Sequence, residues 1–154
     1  MGPTNTISYL LQHLATVIGK DADQVLQEQL GIGFSQYKIL MVLEWNPRVQ
    51  QKSIAQSLGQ TEASISRQIK LLESKNLIAT KVDPNNKRIH ISTPTILGMQ
   101  LTEAAAAILR RSLGPEFSRM GEDQQAQLIK GLQALHASVC RPNKNNSCDH
   151  PLGV

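Results

Sequence analysis

Thr61, Ala63, Ser64, Ser66, Arg67 and Lys70 lie on the polar side of one short segment, whose other side is Ile65, Ile69 and Leu72. The types and spacing suit chemistry on a polyanion. A helix with that apolar stripe is held by its own core, and its polar face is left to enter the major groove of duplex DNA. Small residues at its start let the backbone come close to phosphates and base edges, and the free amides of the first turn attract phosphate. Arg67 can grip a guanine edge with two hydrogen bonds, or a phosphate, and most protein–DNA hydrogen bonds go to the backbone. Ser64 and Ser66 suit phosphate or water-mediated contacts. Gln60 and Gln68 can reach adenine, although a glutamine on a helix surface is more often simply solvated.

A second basic set follows in Lys81, Lys87, Arg88 and His90. Beside a major-groove helix, a basic loop is placed to enter the adjacent minor groove or to follow its phosphates. Arg88 has a competing structural role, pairing with Asp83 across the turn. His90 reads as a partly exposed strand residue.

The elements that must position these groups are legible from periodicity and caps. Ile7, Leu10, Leu11, Leu14, Val17, Ile18 and Val25 predict a long first helix over residues 4–29, broken by Gly31-Ile32-Gly33. Ser35 is the expected cap of a second helix over 36–45, stopped at Asn46-Pro47. A third helix covers 51–58 and ends at Gly59. Thr61 caps a fourth over 62–74, with Asn76 suited to the left-handed turn beyond it. A strand over 77–82, a turn at 83–86 and a return strand over 87–92 make a hairpin, and two strands alone must lean on the helices. Thr93 with Pro94 is the expected start of a fifth helix running to about Leu113, where Gly114-Pro115 kinks or interrupts it. A last helix covers 122–139, with Leu128, Ile129, Leu132 and Leu135 in helical register.

Composition supports a helical protein: of 154 residues 40% are hydrophobic and only 3% aromatic, so the core is aliphatic. Scarce aromatics argue against single-strand binding by base stacking. The net charge is +4, yet residues 47–92 hold eight basic residues against three acids, leaving the ends together near neutral. A basic middle is the footprint of polyanion binding, or, read plainly, a solvated surface. No apolar run has the length of a membrane span and the first residues lack a signal pattern, so a cytoplasmic protein without membrane contact is expected. Scattered histidines and the lack of a nucleophile elbow, phosphate loop or paired-carboxylate pattern argue against an enzyme, and no cofactor is expected. His136, Cys140, Cys148 and His150 read as a helix-end histidine and an ordinary tail, so no metal site is expected.

Phe34-Ser35-Gln36-Tyr37-Lys38-Ile39-Leu40, Ser53-Ile54-Ala55-Gln56-Ser57-Leu58-Gly59 and the run from Ser64 to Ile78 resemble the MarR family of winged-helix regulators. The likeness covers nearly everything from residue 5 to 140. In the wing, Asp83 and Arg88 match the family pattern, whereas Asn85 stands for an arginine, Asn86 for an acid and Asn76 for the usual glycine. The tip is thus less basic, and Lys81 and Lys87 compensate through phosphates. The resemblance implies a homodimer built from the first and the last two helices, with a ligand cleft between them and the winged helix. It also implies a pseudo-palindromic double-stranded DNA operator.

The expected fold is mainly α with a small β-hairpin wing: a winged helix-turn-helix plus a helical dimerisation region. The expected division is a dimerisation helix (1–34), a DNA-binding domain (35–92), C-terminal dimerisation helices (93–140) and a flexible tail (141–154). The expected function is a homodimeric, sequence-specific transcriptional regulator, a repressor relieved by a small-molecule effector. Its DNA contacts are Thr61, Ala63, Ser64, Ser66, Arg67, Lys70, Lys81, Lys87 and Arg88. Two alternatives stand beside it: a redox-sensing regulator using Cys140 and Cys148, and a protein-interaction module on the same fold.

Overall fold

The computed structural model describes residues 2–46 and 48–139. Expectations placed on Pro47, on Cys140 and Cys148, on His150 and on the tail lie outside the described residues. Six helices and one hairpin follow in the order α1 (Pro3–Leu30), α2 (Phe34–Trp45), α3 (Gln51–Leu58), α4 (Glu62–Ser74), β1 (Ile78–Asp83), β2 (Asn86–Pro94), α5 (Ile96–Ser118) and α6 (Glu122–Val139). This is a mainly α chain with a β-hairpin wing.

The core forms around α2. This helix buries Gln36, Tyr37, Ile39, Leu40, Val42 and Leu43, so it is covered on nearly every side. α1, α3, α4, α5 and β2 all pack against it. Leu26 of α1, Ile54 of α3, Ile65 and Leu72 of α4 and Ile108 of α5 complete one continuous cluster. The hairpin leans on this cluster through Ile78 and the buried Ser92, whose hydroxyl is 2.9 Å from that of Thr80.

The chain ends its helices as the sequence predicts at Gly31, Gly59 and Asn76, all with positive φ. Lys75 adds a tie, its Nζ donating to the Gly31 carbonyl at 2.8 Å, where a cation also suits the negative end of α1.

Several boundaries differ from expectation. α2 starts at Phe34 rather than after Ser35, because the Asp23 carboxylate of α1 accepts the Phe34 N–H at 2.8 Å and Gln36 Oε1 accepts that of Gly33. These groups do the capping, and the Ser35 hydroxyl accepts from Gln60 instead. The first strand starts and ends one residue later than expected. The return strand runs on to Pro94, paired with Ile78, so Thr93 belongs to the sheet and Thr95 caps α5. Proline is tolerated at a strand end, where no ladder donor is required. Finally, α5 passes through Gly114-Pro115 to Ser118. Pro115 forfeits one helical hydrogen bond, and the acceptor it leaves, on the exposed Arg111, faces water.

Candidate nucleic-acid interface

α4 is positioned by its buried stripe and by its cap. Ile65, Ile69 and Leu72 are at most 3% exposed. The Thr61 hydroxyl accepts the Ser64 N–H at 3.1 Å, one of the donors that a helix start leaves unmatched. With that face fixed, Ala63, Arg67 and Lys70 form one exposed stripe at helical spacing, with Ser64 and Ser66 half-buried beside it.

Gln60 does not project toward a ligand. Its Nε2 donates to the Ser35 hydroxyl at 2.7 Å, and its Oε1 accepts from the Ser64 hydroxyl at 3.3 Å. It thereby ties the turn between α3 and α4 to α2. Ser64 shares that network, and this fixes the helix end from which a phosphate would be approached.

The wing is shaped by a register jump. Ile78 to Val82 pair regularly with Pro94 to His90, and then Asp83 pairs with Asn86, so Lys87, Arg88 and Ile89 bulge from β2 opposite that step. A bulge of this kind re-aims side chains beside a functional site. The Asp83 carboxylate accepts the Asn85 N–H at 2.8 Å, and Asn86 Oδ1 accepts that of Arg88 at 3.1 Å. Asp83 therefore holds the turn and not Arg88, since the ion pair recorded among the described residues is Arg119–Glu116. The Arg88 guanidinium is left exposed.

The bulge brings Arg88 and His90 to a cleft of about 390 Å³ whose other wall is Gln50, Gln51 and Lys52 at the start of α3, with Glu62 at its edge. Lys87 sits exposed at the tip. Lys81 is not part of this cleft: strand alternation puts it with Ile91 on the face opposite Val82 and His90. α4, the cleft and the wing tip together carry Arg67, Lys70, Lys52, Arg88 and Lys87 against Glu62 and Glu73, an electropositive surface with a helix protruding from it. Lys52, Gln50 and Gln51 were not singled out from sequence, because their closeness to the wing depends on a contact between segments some 40 residues apart. Gly98 was missed too. A Cβ there would run into the Leu77 carbonyl oxygen. The Thr95 hydroxyl donates to the Asn76 carbonyl at 2.7 Å and accepts the Gly98 N–H at 3.0 Å. The start of α5 is thus fastened to the end of α4.

Among the described residues no group of three or more histidines, cysteines or acids gathers to hold a metal, and no helix is long and apolar enough to cross a membrane.

Residues 34–90 match the family model described as MarR family. The winged-helix segment of the chain is thus similar to the MarR family. Solved structures extend the likeness beyond the matched segment. Staphylococcus aureus MepR in complex with DNA is 28% identical with a TM-score of 0.71, covering 86% of this chain and 97% of that one. The transcriptional regulator BldR of Sulfolobus solfataricus is 21% identical with a TM-score of 0.76, covering 90% and 100%. A Mycobacterium tuberculosis MarR family protein, solved with p-aminosalicylic acid, is 21% identical with a TM-score of 0.74, covering 84% and 98%. No curated protein matches the chain. The matched segment spans α2 through most of the wing and holds every side chain of the electropositive surface.

Proposed function

We propose that the chain is a homodimeric, sequence-specific regulator of transcription, acting as a repressor relieved by a small-molecule effector. The observation that carries this is the exposed Ala63–Arg67–Lys70 stripe on a helix whose opposite face is locked in the core. α4 lies in the major groove, with Arg67 on a guanine edge or a phosphate and Lys70 on a phosphate. Thr61, Ala63, Ser64 and Ser66 bring the helix start against the backbone. Arg88 and Lys87 hold the neighbouring groove, and Lys81 adds charge from the outer face of the wing. MepR, the 28% identical relative, has been solved on DNA.

The second copy is supported by apolar faces that the single chain leaves open. On α1, Ile7, Leu10, Leu11, Leu14 and Val17 are exposed, and α6 buries none of its residues. Surfaces of this extent mark an interface. The working division is a dimerisation helix over 1–34, the DNA-binding domain over 35–92 and dimerisation helices over 93–140, with the dimer seated on a pseudo-palindrome in the cytoplasm. A repressor needs only to cover a promoter, so a small dimer suffices.

The test is fluorescence-anisotropy binding to the duplex upstream of the chain's own gene and to scrambled DNA, across a salt series. Selective binding that weakens steeply with salt is expected, because phosphate contacts release counterions. Salt-insensitive binding, or no preference for duplex, would return the fold to the role of a protein-interaction module.

A further inference from the structure

The outward face of α4 ends on a side chain that the core does not explain. Ala63, Arg67 and Leu71 stand four residues apart, so they form one row along the helix. The row lies off the buried stripe of Ile65, Ile69 and Leu72, and all three of its members are exposed. Leu71 is 47% exposed, the one large hydrophobic side chain of α3 and α4 left open to solvent. Its neighbour Leu72 is wholly buried, so Leu71 stands outside the stripe that anchors the helix.

The polar groups near the two ends of the row are engaged within the chain. The Leu71 carbonyl accepts the Lys75 N–H at 3.2 Å and the Ser74 hydroxyl at 2.8 Å. At the other end the Ser64 hydroxyl donates to Gln60. Arg67, between them, belongs to no hydrogen bond or ion pair recorded among the described residues. The row therefore offers a methyl, a free guanidinium and an isobutyl group, in that order.

Arg67 and Lys70 both lie within about one turn of Leu71. An apolar protein surface laid over Leu71 would strip water from both cations without pairing them, which is costly. A duplex pairs them with phosphates and still meets Leu71 with an apolar group, the C5 methyl of thymine in the major groove. One step along the row rises ~6 Å, roughly two base pairs of ~3.4 Å for a helix that follows the groove.

We propose that Leu71 is a specificity-determining residue that packs on a thymine methyl, with Ala63 on a second methyl at the other side of the Arg67 contact. This deepens the proposed regulator and rests on that reading: the half-site carries thymines on both sides of the step that Arg67 reaches. Lys70 and the wing supply affinity that is blind to sequence. Leu71 supplies discrimination that salt does not screen, because a methyl contact carries no charge.

The test replaces every thymine of the duplex upstream of the chain's own gene by deoxyuridine, which keeps the pairing edge and removes only the methyl. Anisotropy with the full chain measures both duplexes across a salt series. The thymine duplex is expected to bind at least about tenfold tighter, since each buried methyl is worth about fourfold and a dimer meets two half-sites. That ratio holds while both affinities fall with salt. Leu71→Ala opens no core cavity, and it is expected to shrink the ratio at least about fivefold. Leu71→Met, which keeps the apolar reach, retains most of it. Any change in DNA stiffness from lost methyls acts on every variant alike, so only a contact makes the ratio depend on residue 71. Equal binding of the two duplexes, or a ratio that Leu71→Ala leaves unchanged, overturns the proposal. A Leu71→Ala chain whose oligomeric state changes in light scattering overturns it too, since Leu71 is then a protein contact. A chain that binds neither duplex removes the regulator reading. Salt-sensitive binding to both duplexes alike leaves that reading standing and removes the role of Leu71 alone.

Discussion

α4 and α6 are both amphipathic helices of ordinary length, and the molecule treats their apolar stripes in opposite ways. α4 sinks Ile65, Ile69 and Leu72 into the core and leaves Arg67 and Lys70 outside. α6 buries nothing, and Leu128, Ile129, Leu132 and Leu135 are each between 39% and 48% exposed. A stripe satisfied by its own chain frees the opposite face for recognition. A stripe left open is itself the recognition surface, because exposed aliphatic area of that extent gains by burial against another surface. On the proposed function, the two helices serve two different partners, duplex DNA for α4 and a second copy for α6.

The widest separation between them comes from truncating each stripe. Leu72→Ala on α4 is expected to cost ~2–5 kcal/mol of folding stability, at any protein concentration, since a cavity opens in a packed core. Leu132→Ala on α6 is expected to change the chain's own fold little and to weaken association instead, so its melting temperature follows protein concentration. Chemical denaturation at two concentrations distinguishes them. Equal, concentration-independent losses would mean that α6 is packed by its own chain.

Next in size is the joint between the start of α5 and the end of α4. Gly98→Ala places a methyl group against the Leu77 carbonyl and is expected to cost about 1–3 kcal/mol in thermal unfolding, with loss of DNA affinity beyond it. An unchanged melting temperature would show that α5 and the end of α4 are not held in register.

Within the DNA-facing side, Arg67→Ala is expected to cost ~1–3 kcal/mol of operator binding, with relaxed base preference if it contacts a guanine. Unchanged affinity would take Arg67 out of the interface. Lys87→Ala is expected to be the smallest effect, weakening all sequences alike and flattening the salt slope by about one unit. A change in base preference there would mean that the wing reads shape or sequence.

Legibility followed the same divide between local and distant causes. α3, α4 and α6 were predicted to the residue, because Thr61, Gly59 and the acids Glu122 and Asp123 are signals local to each helix. α5 starts beyond the expected Thr93 cap because Pro94 pairs with Ile78, a partner 16 residues back, which keeps Thr93 in the sheet and leaves Thr95 as the cap. Ser35 lost its capping role to Asp23, which arrives from another helix. The electropositive stripe of α4 was visible from spacing alone. Lys52 across from Arg88, Gln60 bridging Ser35 and Ser64, and the bulge that turns Arg88 outward were not, since each depends on segments meeting in space.

The most direct test of the two-partner account is native mass spectrometry of the full chain, alone and mixed with the duplex upstream of its own gene. The account predicts a dimer at micromolar concentration and a complex of two chains on one duplex. A monomer at all concentrations, or a dimer that holds no duplex, would contradict it.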